Sequence, residues 1–327
     1  MLRFSIFFLC LFLSIGLMSQ YNWDWGVHAG ASNYLGDIGG KDQARRDFIY
    51  DVKLNQTRWV FGGHIRYKVT RSFSASFAMM YGRVQGFDSE TIYGPRRARN
   101  LNFRNDILEA SIRGEYTFYS DNDLGGRGYY NPDFRVFGFL GLAALTNNPK
   151  GYLNEDNGDF PAGWYSLREL KTEGQDQPYG KFTAAIPMGV GVYLTHNKKY
   201  RFGWELGYRV SFTDYLDDIS GTYAPDAELE TDLARALANQ TTPEIIAEVF
   251  GAEHPGEIYN YHYAPGYDGT YRNPRGINNY NDGYVFTTFS AGMIIQSKSK
   301  FSQKFSQKPR YNWFNGRKRS KKSRAKF

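Results

Sequence analysis

Cysteine is almost missing from this chain. The only one, Cys10, lies in the first twenty residues, so the rest of the chain forms neither a disulfide nor a thiol centre. Long apolar runs are missing as well. After residue 20 none approaches the ~20 residues a membrane-spanning helix needs, which excludes an α-helical membrane protein. Mean hydropathy is −0.56. Acidic residues are absent from one stretch, 296–327, which holds 12 of the 40 Lys and Arg. Arg3 is the only charge in the first 19 residues. That leaves 27 basic against 33 acidic residues in 20–295, a net charge of −6. The formal charge of +7 therefore belongs to a basic tail on an acidic body.

The first segment has Arg3, an apolar run from Phe4 to Met18, and small Ser19. It reads as a secretory signal peptide over 1–19, too short to span as a helix. Cys10 sits mid-run rather than at the cleavage point, unlike a lipoprotein signal. Export removes nucleic acid as a natural partner of the basic tail.

Aromatic residues make up 17% of the chain, with 26 Tyr, 25 Phe and 35 Gly, which excludes wholesale disorder. Past the signal, apolar residues alternate with period two about eight times. One face of the first run carries Trp23, Trp25, Val27, Ala29 and Ala31, with Asp24, His28 and Ser32 between them. Similar faces run from Trp59 to Tyr67, Phe73 to Tyr81, Leu108 to Tyr116, Phe134 to Leu142, Phe182 to Val192 and Phe202 to Val210. The eighth run, about Tyr284 to Ile295, is apolar on both faces, which leaves its register open. The apolar face of the first seven runs has no charge, while the other carries Arg, Lys, Glu and His.

Alternation alone does not say which face points inward, since a soluble sandwich or lipocalin alternates too. Connection lengths discriminate. Long links (about 33–57, 84–104, 146–180 and 213–283) alternate with shorter ones (70–72, 119–133, 195–199), as in an outer-membrane barrel with short periplasmic turns and long external loops. Trp23, Tyr67, Phe73, Tyr116, Phe134 and Phe202 gather at the short-turn end and suit an interfacial girdle. The expected fold is all-β: an eight-stranded antiparallel transmembrane β-barrel over 20–295, with both termini periplasmic. It carries long extracellular loops, a helical insertion in the last loop and a basic C-terminal tail over 296–327. The insertion is read in Pro225–Gly251, with Thr241 and Glu244 as a capping box, Pro243 in the first turn and Gly251 as the stop.

The chemistry is sparse. None of the five histidines has a metal-ligand spacing such as HExxH. Asp121-Asn-Asp123 fails as a Ca²⁺ loop because Pro132 occupies the twelfth position. No phosphate loop or nucleophile elbow appears, so no cofactor and no catalytic residue is expected. His28 and His64 share the polar face of neighbouring strands. A lipid-deacylating barrel would set such a His beside a Ser, with Ser32 or Ser74 available. The plainer reading is a lumen charge network of Arg58, His64, Arg66, Glu109, Arg113, Glu115, Glu205 and Arg209, because buried charges in a narrow barrel must be paired. The acidic stretch at Asp214, Tyr215, Asp217 and Asp218 reads as turn-forming, with cation binding as the other reading.

Three stretches carry a family resemblance: WGVHAGASNYLGDIGG (25–40), NPKGY (148–152) and, most specifically, ELGYRVSFTDYLDDISGTY (205–223). Together they resemble a Bacteroidota outer-membrane barrel family that includes the PorG component of type IX secretion. The resemblance spans roughly 21–295. It implies a non-enzymatic barrel of the secretion apparatus, embedded in outer-membrane lipid and contacting the periplasmic ring proteins of that machine. An outer-membrane lipid-modifying enzyme and an external binding or adhesion barrel are the alternative functions. The tail lies outside the resemblance. Its Tyr311, Trp313 and Phe314 suit an anchoring contact, and Arg317, Lys318, Arg319, Lys321 and Lys322 suit an acidic partner surface.

Overall fold

A computed structural model describes residues 23–39, 53–121, 133–154, 156–157, 159–264, 272–277 and 280–295. The signal peptide, the tail with its partner-binding residues, and the segment around Asp123 lie outside the described residues.

Eight strands close into an antiparallel barrel: β1 (Trp23–Leu35), β2 (Arg58–Lys68), β3 (Phe73–Phe87), β4 (Asn102–Asp121), β5 (Asp133–Thr146), β8 (Phe182–His196), β9 (Tyr200–Ser211) and β10 (Gly283–Ile294). Each pairs with its sequence neighbour in the barrel. Closure comes from β1 against β10, with Asp24 opposite Ile294 and Leu35 opposite Gly283. That pairing fixes the register the sequence left open: Tyr284 and Phe286 point inward, 0% and 1% exposed. Two further strands, β6 (Lys150–Leu153) and β7 (Gly163–Ser166), form a hairpin attached to the outer part of β4 through Arg104 and Lys150. Strands β3 and β4 pair as far as Phe87 and Asn102, so the sheet rises well beyond the runs legible as alternation.

The three shorter connections share one end with the start of β1 and the finish of β10. The tightest is the β8–β9 turn. Its Asn197 and Lys198 adopt left-handed conformations at φ 52° and 54°, and the Lys199 amide donates to the His196 carbonyl at 3.1 Å, which closes a three-residue connection between the paired His196 and Tyr200. The opposite end carries a folded cap built from the long loops. It contains α1 (Gly94–Arg99), α2 (Asp232–Ala238), α3 (Pro243–Phe250), α4 (Pro255–Ile258) and a π-helical turn over Tyr259–Tyr263.

Helices α2 and α3 fall within the expected segment, α4 and the π-helical turn extend the insertion beyond it, and the cap of α3 differs. Pro243 stands first in α3, which makes Thr242 the N-cap; its hydroxyl accepts from the Ile245 amide. Thr241 instead donates to the Arg99 carbonyl, so Thr241 and Glu244 form no capping box. Gly251 ends the helix at φ 62°, as a left-handed stop should.

The barrel is inside out. Ile112, Leu142 and Phe289 are 67–68% exposed on its exterior, whereas Glu109 in its interior is 0% exposed. Burying charge and exposing apolar surface is favourable only where the exterior solvent is hydrocarbon. Room for the interior side chains comes partly from glycine. A Cβ on Gly189 would lie 2.2 Å from the Leu206 carbonyl oxygen, and one on Gly191 would lie 2.6 Å from the Phe137 ring. Phe137 and Phe139, both buried, take up that space.

Candidate functional site

Alternation turns one residue in two inward, and in this barrel those residues carry the charge. Near the end where β1 starts, Asp24 accepts from Arg66 Nη1 at 3.3 Å and pairs with Arg201. Arg66 Nε donates to Glu115 at 2.6 Å. Arg113 Nη1 donates to Glu205 at 2.9 Å and faces Glu115 at 3.6 Å. Further along, Arg209 Nε donates to Glu109 at 3.2 Å, and Tyr284 donates to the same carboxylate oxygen at 2.8 Å. Aromatic rings separate these pairs and receive the guanidinium faces. Arg66 lies 5.5 Å from the Phe137 ring centre, Arg113 4.8 Å from Phe139 and Arg209 4.4 Å from Phe286. Four carboxylates (Asp24, Glu109, Glu115, Glu205) thus meet four arginines (Arg66, Arg113, Arg201, Arg209) inside one narrow tube. An eight-stranded barrel filled in this way holds side chains rather than an aqueous channel.

Seven of the eight residues anticipated for this network are brought into the lumen. Arg58 is the exception. It starts β2 at the cap end, stays partly exposed and donates to the backbone carbonyls of Asn55 and Thr57 at 3.1 and 2.7 Å. It has inward parity but sits above the closed section. Asp24 and Arg201 are the members missed. Asp24 stands between Trp23 and Trp25 on the same polar face as His28, so its alternation already carried the signal.

His28 and His64 meet ring to ring, Nε2 to Nδ1 at 2.7 Å, and His64 reaches Asp24 at 3.4 Å. The hydroxyl beside His28 is Thr288, 3.2 Å from Nδ1, rather than Ser32 or Ser74. Ser32 donates instead to the backbone carbonyls of Trp59 and Arg83. Thr288 is 3% exposed. The pair faces the packed lumen, whereas a lipid substrate would lie against the outer face. Among the described residues, no group of three or more His, Cys, Asp or Glu side chains has metal-binding geometry.

At the cap end a second polar centre closes the barrel. Asp214, Asp217 and Asp218 are buried, as are Asp37 from the loop after β1 and Asp282 from the far end of their own loop. These carboxylates stitch loops together by accepting backbone amides. Asp217 takes Ile38 and Ile219 at 3.1 and 3.0 Å, Asp282 takes Leu216 at 2.9 Å, and Asp37 takes Ile277 at 2.7 Å. Tyr34 donates to Asp282. Asp218, in a left-handed conformation at φ 71°, accepts from Thr172 and Tyr179 and faces Arg275 at 3.6 Å. Tyr215 stacks on Tyr179, ring centres 4.8 Å apart. The acidic stretch is therefore a buried tie as well as a turn. Burial raises the Asp217 carboxyl to about 7, helped by the neighbouring charge of Asp37, and raises Asp218 to about 6. The same desolvation, with Asp217 and Asp214 close by, pushes Asp282 well above the usual carboxylate range.

Above this centre the cap encloses a cavity of about 580 Å³. Its walls come from α1, the last turn of α3, α4, the π-helical turn and residues 274–277. No signal in the sequence announced it, because its lining is drawn from segments more than 230 residues apart.

Known proteins offer the following likenesses. Residues 2–142 match a domain of unknown function, DUF6089. A search of curated proteins finds no match. One similar solved structure is Ail, the attachment invasion locus protein of Yersinia pestis, in complex with the heparin analogue sucrose octasulfate. It shares 8% identity over 84% of this chain and 99% of that one, with a TM-score of 0.34. Another is the N-terminal β-barrel domain of Pseudomonas aeruginosa OprF, at 11% identity over 85% of this chain and 100% of that one, with a TM-score of 0.30. The inside-out surface decides the class. This chain is an outer-membrane-type barrel. Its exterior is apolar, its charged interior is a plug, and its loops form a folded cap at one end.

Proposed function

We propose that the chain is a non-enzymatic outer-membrane component of the type IX protein-secretion system, linking the membrane to the periplasmic ring of that machine. The filled lumen carries the reading. A tube occupied by paired charges and aromatic rings gives folded cargo no route, so the barrel serves as an anchor rather than as the translocation pore. The stretches 25–40, 148–152 and 205–223, which resemble the secretion barrel family, supply the choice of machine. Strand β1 starts and β10 finishes at the end with the shorter connections, which in such barrels faces the periplasm. From there the basic tail, with Tyr311, Trp313, Phe314 and the cluster Arg317, Lys318, Arg319, Lys321 and Lys322, reaches an acidic surface of a ring protein.

Deletion of the gene tests the machine: loss of cargo export is expected, and normal export refutes the role. Pull-down with the full chain and with a form ending at residue 300 tests the tail. Recovery of ring proteins should fall in the shortened form, and at high salt in the full chain. Equal recovery from both forms removes the tail contact. A deacylase would lose activity with His28→Ala and His64→Ala together, whereas an anchor keeps secretion intact. The cavity in the cap favours a second reading, an external binding barrel. Deleting the 213–283 loop while keeping the barrel separates the two.

A further inference from the structure

The outer wall of the barrel changes character at one level towards the cap. Below that level the outward side chains are apolar and exposed: Met79 and Tyr81 on β3, Ile112 and Leu108 on β4, Leu140 and Leu142 on β5. Charge then begins on β3 and β4 together, with Arg83 opposite Asp106. Trp59 and Tyr81 stand at the border, ring centres 5.4 Å apart, and the Arg83 guanidinium lies 5.7 Å from the Trp59 ring centre. Aromatic rings at such a border mark the depth of lipid head groups.

On β3, β4 and β6 the outward charges at this level are Arg83, Arg104, Lys150 and one carboxylate, Asp106. Arg83 holds both oxygens of Asp106, at 2.6 and 3.0 Å, so the acid is already engaged. Arg104 and Lys150 stand directly opposite each other where β6 pairs with β4, which turns both side chains to the same face. Among the described residues neither makes an ion pair or a side-chain hydrogen bond. Like charges set opposite each other weaken a strand pair unless an anion joins them. The face is held outward, because Leu153 and Leu167 on the other side of the hairpin pack against Leu233 and Leu237 of α2. Arg104 is oriented too. Its guanidinium lies 4.3 Å from the Trp164 ring centre, and Trp164 packs on Tyr152 at 5.2 Å. A guanidinium held on a ring beside an unpaired ammonium suits an anion with several oxygens. Phosphate fits best: two N–H donors match two of its oxygens, and the ammonium adds a point charge.

We propose that Arg104 and Lys150 bind the phosphate of a phosphorylated lipid whose acyl chains lie on the apolar wall beneath. The position commits the occupant to a lipid, since Leu108 continues the same face of β4 roughly 13 Å further along the strand. The end with the long loops is the external one in such barrels, so the leaflet concerned is the outer one. The site is independent of the secretion role.

The test uses the full chain folded in detergent micelles, with native mass spectrometry reading the lipid retained. The probes are diphosphoryl lipid A, the same lipid stripped of its phosphates, and inorganic phosphate as a competitor. Diphosphoryl lipid A should bind about tenfold or more tightly than the stripped form, and Arg104→Gln and Lys150→Gln should each weaken it by about tenfold. Arg97→Gln removes a cap arginine paired with Glu248 at 3.1 Å and should leave binding unchanged. Heat-modifiable migration checks that the variants fold, and Lys150→Gln leaves the stack of Arg104 on Trp164 in place. Equal retention of the stripped lipid reduces the contact to acyl chains and overturns the proposal. Equal binding by the parent and both Gln variants, or an equal loss in Arg97→Gln, overturns it as well. Displacement by inorganic phosphate at the concentration of the lipid overturns the lipid occupant and leaves a site for a soluble anion.

Discussion

Removing one carboxylate from the lumen tests whether the plug is a paired network or a loose filling. Glu205 is 5% exposed, accepts from Arg113 at 2.9 Å and faces Arg66 at 3.6 Å. In Glu205→Ala, Arg113 and Arg66 share Glu115, which Arg66 already holds at 2.6 Å, and four arginines face three carboxylates. Leaving a buried charge uncompensated costs about 3–5 kcal/mol. The double substitution Arg113→Met with Glu205→Leu removes both charges, restores neutrality and fills comparable space. Its expected cost is below about 1 kcal/mol, since replacing a whole buried pair is often neutral or stabilising. The assay is urea unfolding of the barrel in lipid vesicles, read by the loss of heat-modifiable migration. A single variant as stable as the parent, or a double variant less stable than the single, refutes the pairing. Adding the singles Arg113→Met and Glu205→Leu completes a thermodynamic cycle whose coupling term isolates the pair.

The cap supplies two further outcomes. Asp217, raised to about 7 by burial and by Asp37, has a folded value above its unfolded one; its stabilisation is complete below about pH 4 and lost as pH rises through about 7. Protease resistance of the cap should therefore fall between pH 5 and pH 8, Asp217→Asn should flatten that dependence, and an unchanged profile in the variant assigns the effect elsewhere. Thr242→Ala removes the N-cap of α3 at a cost of about 1 kcal/mol. Cap proteolysis should then accelerate about fivefold by opening, with barrel migration unchanged; Glu244→Gln should have no comparable effect, and an equal acceleration there would restore the capping box.

Much of the barrel was legible because its physics is local. A strand presents successive side chains to opposite faces, so Trp25 and Val27 outward against Asp24 and His28 inward is written in the order of residues. The alternation of long and short connections gave the topology, and seven lumen residues followed from parity. Parity failed at Arg58 because it fixes direction, not height along the barrel axis. The eighth strand was apolar on both faces, so only its pairing with β1 and β9 turned Tyr284 and Phe286 inward. Thr242 took the cap of α3 because Pro243 sets the first helical position, a constraint present in the sequence but assigned one residue early.

The upper half of the molecule was decided by tertiary structure. Asp37 comes from the loop after β1, and Asp217 and Asp282 from opposite ends of the long loop between β9 and β10, and no spacing rule ties them together. Strand closure brings those loops over one rim, and the missing solvent there turns an acidic turn into a buried tie. The same holds for the cap cavity. Asp37, Tyr93, Tyr223 and Phe250 have ordinary neighbours in sequence, and only folding brings them to one wall. Periodicity specifies which way a side chain points, whereas burial and partners depend on contacts between segments far apart in the chain.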